Sequence, residues 1–297
     1  MSPWRRGLID AIRWYVRSGP FLRGQTRLMS WGRRFLPHSA EVLRSLDGRK
    51  FALGFPRDHG LEQLYFAGVF EAGTTQVVRR LLRDDDVTFD VGANVGWYTT
   101  LFALQTPRGH CHAFEPQPTV FQELVANCLL NGLGANVTLN NVGVADREDN
   151  STIYRFGNLT HGHSSLSPVL GRPAQAMPCK ITTIDQYRHS HSIERIDFVK
   201  VDVEGAEHLV LEGAQSVFDL KPSPMWLLEM NYDTSRAFGY APVNLLQFLA
   251  ERDDFRFFRI VGASGGLLPM TGIEDWGHGD NVLCIPPGQR PRLSGIA

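Results

Sequence analysis

The stretch that most restricts how this chain can fold is Val87-Thr-Phe-Asp-Val91, with the turn Gly92-Ala-Asn-Val-Gly96 and the helical run Trp97 to Leu104 behind it. A short β-branched and aromatic run following the acidic turn Asp84-Asp85-Asp86 reads as a strand buried on both faces, which is how parallel sheets read. The glycines allow a tight turn and let a ligand approach the backbone closely. The helix start then offers free N–H groups and a partial positive charge. A second unit follows, with the strand Gly109-His-Cys-His-Ala-Phe-Glu115, the helix Thr119 to Asn131, and a third strand Asn136 to Val142. This rhythm predicts an α/β, Rossmann-like fold: a mostly parallel sheet with helices on both faces. In such a sheet Glu115 ends the second strand beside the first turn, where it can accept hydrogen bonds from ribose hydroxyls.

The turn itself narrows the ligand. A dinucleotide site would read GxGxxG, whereas this chain has Asp90-Val-Gly92-Ala-Asn94-Val-Gly96, which disfavours a dehydrogenase. An acid opening the turn, without the third glycine that cradles a diphosphate, suits a cationic ligand free of phosphate. The sulfonium and ammonium groups of S-adenosylmethionine are such charges. The competing reading is a plain tight turn inside a Rossmann-like core.

Composition excludes more than it assigns. The chain has 297 residues, a net charge of -1 and 43% hydrophobic residues, which rules out global disorder. No run approaches the length of a membrane-spanning helix. Four scattered cysteines, Cys111, Cys128, Cys179 and Cys284, lack CxxC spacing, which argues against a zinc ribbon or a disulfide framework. They fit a reducing compartment, so the expected location is cytoplasmic.

The near-zero charge hides an asymmetry. Residues 1–50 carry eleven basic and three acidic side chains, a surplus of eight positive charges; the remainder is negative by nine. Trp4, Leu8, Ile12 and Tyr15 recur at helical spacing among arginines, and a second basic-aromatic run extends from Phe21 to Pro37. Such a segment either packs on the main domain with its arginines solvated or lies peripherally on an anionic membrane surface through residues 1–37. Nucleic acid is not the expected partner. Arginines interrupt any signal-peptide core, and a transit peptide is the weaker guess. The expected organisation is a basic helical extension over 1–60 and a main domain over 61–297 with an insert at 151–192. Oligomeric state is not legible.

From about Leu61 to Pro286 the chain resembles the FkbM family of S-adenosylmethionine-dependent methyltransferases. Three blocks carry the likeness: Phe89-Asp-Val-Gly-Ala-Asn-Val-Gly-Trp-Tyr-Thr99, His112-Ala-Phe-Glu-Pro116, and the most distinctive, Ile196-Asp-Phe-Val-Lys-Val-Asp-Val-Glu-Gly-Ala-Glu207. The resemblance implies a class I methyltransferase fold with a seven-stranded sheet. It also implies O-methylation of a hydroxyl on a sugar, glycolipid or polysaccharide, or on a polyketide-type metabolite. Asp90, Gly92, Asn94 and Gly96 would hold the methionine part, Glu115 the ribose, and Asn141, Val142 and Gly143 the adenine edge. Glu71 would close over the cofactor. Gly143 stands where the family usually has alanine, and the arginine-rich extension lies outside the pattern.

Ile196 to Val203 predicts a fourth strand, with Lys200 and Asp202 on one face by alternation. Buried charges cost several kcal/mol unless paired, so one reading is a structural pair of Lys200 with Asp202 or with a glutamate. The functional reading notes that ligands bind beyond the carboxyl ends of parallel strands. An alcohol is a poor nucleophile until its proton moves, which makes Asp202 the candidate base or substrate orienter and Lys200 the group that offsets developing negative charge. Glu204 to Glu207 is expected to open a helix, where acids are favoured by the dipole alone; Glu204 is also a catalytic candidate. Asp202, Glu229 and Asn231 could hold one Mg²⁺ at adjacent strand ends. In the insert, His161 and His163 could supply a base or grip sugar hydroxyls, with Ser164 and Ser165 assisting, although solvated loop histidines are commoner. An N-methyltransferase is disfavoured because Asp202-Val-Glu-Gly occupies the place of an NPPY or DPPY motif. A catalytically silent membrane-surface scaffold remains the non-enzymatic alternative.

Overall fold

The computed structural model describes residues 2–18, 24–36, 41–53, 61–156, 164–168, 174–273 and 280–296. Its centre is an eight-stranded sheet. Across it run Val137–Asn140, His110–Phe114, Val87–Val91, Phe198–Val201, Met225–Met230, Asp280–Ile285, Arg256–Val261 and Gly266–Pro269. The first five strands are parallel, and Asp280–Ile285 runs against both its neighbours. This is the expected sheet with one addition: Gly266–Pro269 folds back on Arg256–Val261 as an antiparallel edge strand. Its Gly-Leu-Leu-Pro sequence is too short to announce a strand.

Alternation along the central strands separates two cores. Phe89, Val91, Val199 and Val201 face one side, packing with Ile184, Val210 and Leu245. Phe198 faces the other side, with Val77, Leu101, Phe102 and Leu124. The pleat therefore puts Asp90 and Lys200 on this second side as well, and the strand register sets them directly opposite one another. On the next strand Leu227 and Glu229 share the same face, and Glu229 lies opposite Asn281. The topology alone thus lines up one row of polar side chains under the carboxyl ends of the strands.

Residues expected to form an insert build a small second sheet. Asp149–Phe156 and Ala174–Thr182 pair antiparallel, flanked by Ser164–Ser165 and Gly143–Val144. His161 and His163 lie outside the described residues.

The basic extension forms the helices Pro3–Ser18 and Gln25–Gly32 and a hairpin, Glu41–Arg44 with Lys50–Leu53. Its buried face differs from the expected stripe. Ile9, Ile12 and Val16 pack with Met29, Leu36, Tyr65 and Phe66, whereas Trp4 points outward. Two contacts fix this rotation. Arg13 Nε donates to the Tyr65 carbonyl at 3.2 Å and Arg17 Nε to the Phe66 carbonyl at 3.0 Å, meeting the carbonyl end of the helix Leu61–Ala67. Gly32 lies so close that a Cβ there would stand 2.8 Å from Ile12 Cδ1. The hairpin belongs to the main packing unit: Phe51 is fully buried in the second core, on the side of Phe198 and Leu101, and Arg49 donates to the Trp97 carbonyl and to Thr100 Oγ1.

The tail from Pro286, which its Pro, Gly and Arg content predicts to be loose, is ordered by charge. Pro287–Leu293 forms a 3-10 helix whose Arg292 is buried. Arg292 makes two hydrogen bonds to Asp86, one of them at 2.8 Å, and reaches Asp197 at 3.4 Å. The buried acids sit where the first and fourth strands begin, and Arg195 shares them, at 2.7 Å from Asp197 and 3.6 Å from Asp86. Arg292→Ala should lower unfolding stability by about 1–3 kcal/mol, the cost of leaving buried hydrogen-bonding groups short of a partner, as read from urea denaturation. A loss within error of zero would mean the tail contributes nothing to the fold.

Candidate cofactor and acceptor site

The glycine turn is held by the strand beside it. The Gly92 and Ala93 N–H groups both donate to the Phe114 carbonyl, at 3.0 and 2.9 Å. Gly92 and Gly96 have φ of +81° and +89°, values that suit glycine, and Asn94 joins them at +49°. Gly92 is also required by space, since a Cβ would run into the Asp202 carbonyl. The Asn94 N–H donates to Glu115 Oε2 at 3.0 Å, and the Gln117 N–H to Glu115 Oε1 at 2.8 Å. Each carboxylate oxygen thus holds one backbone donor and keeps a second acceptor position. Burial pushes the Glu115 carboxyl up to about 7, against the opposing effect of those two donors. Asn141 Nδ2 donates to the Glu115 carbonyl at 2.8 Å and so fastens the strand end from outside.

Beyond this turn opens a cavity of about 320 Å³. One wall is Gly92 to Val95 with Glu115 and Gly143; the floor is Glu71, Lys200, Asp202, Glu204 and Glu229. Gln63, Leu64 and Phe70 close one side, and Ile153, Ser164 and Leu166 of the small sheet close another. The structure therefore brings most of the predicted site residues onto one surface. Asp90, Gly96, Asn141, Val142 and Asn231 are not on it. Asp90 is fully buried one layer behind the wall: Oδ2 accepts from Thr99 Oγ1 at 2.6 Å, and Oδ1 has no hydrogen-bond partner. It acts on the cavity as a charge, not as a contact. Gly96 places the helix start, because its absent Cβ would stand 2.7 Å from Leu124 Cδ1.

Lys200 is the cation of the floor. Nζ donates to Asp202 Oδ2 at 2.9 Å and sits 4.9 Å from the centre of the Tyr98 ring. Burial alone would lower the pKa of this ammonium, but Asp202, Asp90 and Glu71 together outweigh it and hold it above its usual value. The structural pair anticipated from the sequence exists, and its Lys200 and Asp202 also line the cavity. Glu71, in the left-handed conformation, accepts from Tyr98 Oη at 2.6 Å and from Asn281 Nδ2 at 3.0 Å. Burial and then Asp202 raise its pKa. Glu229 Oε2 is buried without a partner, and burial followed by Asp202, Glu204, Glu207 and Glu71 drives its pKa well above the usual range.

Two expectations need correction. Glu204 does not open a helix: it and Gly205 form a left-handed turn with φ of +55° and +105°, and the helix begins at Glu207. Glu207 makes that turn possible. Its Oε1 accepts from the Val203 and Gly205 N–H groups, and its Oε2 from Tyr240 Oη at 2.9 Å. The candidate metal set also fails to assemble. Asn231 Oδ1 caps a short helix by accepting from the Asp233 N–H, and Asp202 holds an ammonium. Among the described residues, no group of three His, Cys, Asp or Glu is placed to hold a metal ion. Sequence reading missed Tyr98 and Asn281. Tyr98 lay inside a quoted block but gave no sign that it faces Glu71; Asn281 begins a strand two hundred residues away from its partner.

The strand order, the glycine turn at its centre and the cavity beyond the carboxyl ends together define a class I methyltransferase architecture. The model for the Methyltransferase FkbM domain matches residues 90–257, more than half of the chain, and the chain belongs to that family. Curated relatives include the 31-O-demethyl-FK506 methyltransferase FkbM of Streptomyces tacrolimicus, 26% identical over 45% of this chain and 61% of its own length. The hexuronic acid methyltransferase AglP of Haloferax volcanii is 29% identical over 48% of this chain and 56% of its own. AmbE, an antimetabolite synthetase of Pseudomonas aeruginosa, is 28% identical over 45% of this chain but only 8% of its own length. The chain thus spans well under two thirds of the relatives it matches. Among solved structures, the O-methyltransferase TomG of Streptomyces achromogenes aligns over 73% of this chain and 79% of its own at 11% identity, with a TM-score of 0.41. That superposition is too loose to carry an argument.

If Glu115 receives ribose hydroxyls, its ionised form is the better acceptor. With its pKa near 7 in the free protein, affinity for S-adenosylhomocysteine should fall as pH drops through that value. Glu115→Gln should bind more weakly and lose this pH dependence, as measured by calorimetry. A pH-independent wild-type affinity would remove Glu115 from the binding site.

Proposed function

We propose that this protein is an S-adenosylmethionine-dependent O-methyltransferase acting on a hydroxyl of a sugar, glycolipid or polysaccharide. The observation that carries this reading is one cavity joining two chemistries: the Asn94–Glu115 cradle at the glycine turn and the Lys200–Asp202 pair on the floor. The residues fit the cofactor. The glycine turn Gly92 to Val95 lines the cavity directly, and a floor of four carboxyl groups with one ammonium favours a cationic ligand.

Bound S-adenosylmethionine supplies an electrophilic methyl group on a positively charged sulfur. Glu115 would take the ribose hydroxyls, and Gly143, on the same cavity wall, would border the adenine. Asp202 would orient the acceptor hydroxyl and take up its proton, while the bound donor would supply the methyl group and leave as a neutral thioether. Lys200, already bonded to Asp202, offsets the negative charge that grows on the oxygen. Glu229, whose raised pKa favours the neutral acid, can donate a hydrogen bond to a second acceptor hydroxyl. Leu64, Phe70 and the small sheet keep bulk water from the reacting atoms. His163, outside the described residues, is kept as a candidate base or sugar contact on its sequence pattern alone. The scattered free cysteines are the ground for placing the protein in a reducing compartment, the cytoplasm; separately, among the described residues no helix is long and apolar enough to cross a membrane.

A second acceptor class, a hydroxyl of a polyketide-type metabolite, is favoured by the likeness to the FK506-pathway relative. Radiolabelled methyl transfer to glycolipid and polysaccharide extracts, run beside macrolide acceptors, separates the two; label confined to macrolides would overturn the glycan reading. Asp202→Asn should lower turnover by roughly 10²–10⁴, the range for a positioned general base, while S-adenosylhomocysteine affinity stays within a few-fold. Turnover near that of the wild type would sink the assignment of Asp202.

A further inference from the structure

The N-terminal helices satisfy their own packing and still leave large aromatic surface unspent. Ile9, Ile12 and Val16 are buried, yet Trp4, Trp14 and Trp31 remain 60%, 72% and 43% exposed. Tryptophan is normally among the more buried residues of a soluble protein. Trp4 and Trp31 converge edge-on on Phe35, with ring centres 6.0 and 4.8 Å away. The result is an outward aromatic cluster of Trp4, Trp31 and Phe35, with Trp14 exposed on the same helix as Trp4. Around it Arg5, Arg6, Arg27 and Arg34 are exposed. Residues 1–37 hold eight arginines and one acid, Asp10, which lies 3.7 Å from Arg13.

We propose that this tryptophan–arginine face docks on an anionic lipid bilayer. Indole rings favour the headgroup level, where the ring is desolvated and the N–H stays wet. The arginines meet lipid phosphates at the same depth. A second copy of the chain is the poorer occupant, because it would bring the same surplus of positive charge against this one. Duplex nucleic acid would leave the aromatic centre of the patch without a partner. The face rotated outward here is not the stripe that spacing suggested: Ile12 is committed to the interior, and Trp14, off that stripe, is the most exposed of the three tryptophans.

The position of the patch gives it consequence. Arg13 and Arg17 bind this helix to the carbonyl end of Leu61–Ala67, the helix that contributes Gln63 and Leu64 to the cavity wall. A bilayer held by the patch therefore lies one helix away from the cavity. The inference goes beyond the methyl-transfer reading and does not rest on it, since vesicle binding needs no turnover.

The test is co-sedimentation of the full chain with phosphatidylglycerol-containing vesicles and with pure phosphatidylcholine vesicles. Binding should be confined to the anionic vesicles and weaken with added salt. Combined Trp4→Ala, Trp14→Ala and Trp31→Ala should reduce partitioning by roughly tenfold or more, as should combined Arg5→Gln, Arg6→Gln and Arg34→Gln. Unchanged S-adenosylhomocysteine affinity and thermal melting in both variants exclude misfolding as the cause. The proposal is overturned by equal binding to both vesicle types or by variants that bind like the wild type. Either a dimer that the tryptophan variant dissolves, or binding to duplex DNA without binding to vesicles, would also overturn it.

Discussion

The buried ammonium of Lys200 is the contact on which the rest of this site depends. It lies on the fourth parallel strand, opposite Asp90 and 2.9 Å from Asp202, with Glu71 also close enough to hold its charge. Remove that positive charge and a floor of carboxyl groups would have to be buried with nothing to balance it. Such acids would protonate or expel the loop that carries them. The strand register produces the arrangement directly. Two neighbouring strands in a fixed parallel pairing put Asp90 and Lys200 side by side on one face, and Asp202, two residues further on and still bonded to Val91, falls on that same face by alternation.

The turn after that strand shows how one side chain can stand in for regular structure. Glu204 and Gly205 occupy left-handed conformations that no helix or strand would supply. Glu207 compensates by accepting two backbone N–H groups of the turn on a single oxygen. Its second oxygen ties the turn to Tyr240. The strain is thereby paid inside the protein, and Glu204 is left facing the cavity on a loop that cannot relax. The same Glu207 looked in sequence like an ordinary first-turn acid, because a dipole preference and a turn clamp call for the same residue at the same place.

What the sequence made legible follows this division between local and distant causes. The strand–turn–helix at Val87 to Leu104, the carboxylate of Glu115 and the Lys200–Asp202 pair are written in contiguous residues, and periodicity exposes them. The order of the central strands follows from the same rhythm. Hidden from it were contacts joined only by folding: Asn281 on Glu71, Arg292 on Asp86, and the edge strand Gly266–Pro269. Asp90 is the instructive case. Its position at the head of the turn suggested a direct contact with the ligand, but strand alternation turns it inward onto Thr99, where it shapes the cavity's potential from behind. The helix Pro3–Ser18 was equally legible as a helix and illegible in its orientation, because Arg13 and Arg17 choose the packed face through carbonyls forty-nine or more residues away.

The electrostatics of the cavity bear on what it can receive. Glu71, Asp202, Glu204 and Glu229 line it, Asp90 stands behind it, and Lys200 is the one cation among the described residues that line it. Glu229 faces the cavity with an unpartnered oxygen and a pKa raised by four neighbouring acids. An anionic ligand would add to this repulsion. A ligand bearing positive charge next to Asp202 would ease it, and would lower the cost of ionising the acids that the empty site holds up. On the proposed methyl-transfer reading, these carboxylates would hold a sulfonium donor more tightly than the neutral thioether left after transfer, so loss of that charge would weaken the hold on the product without any moving part.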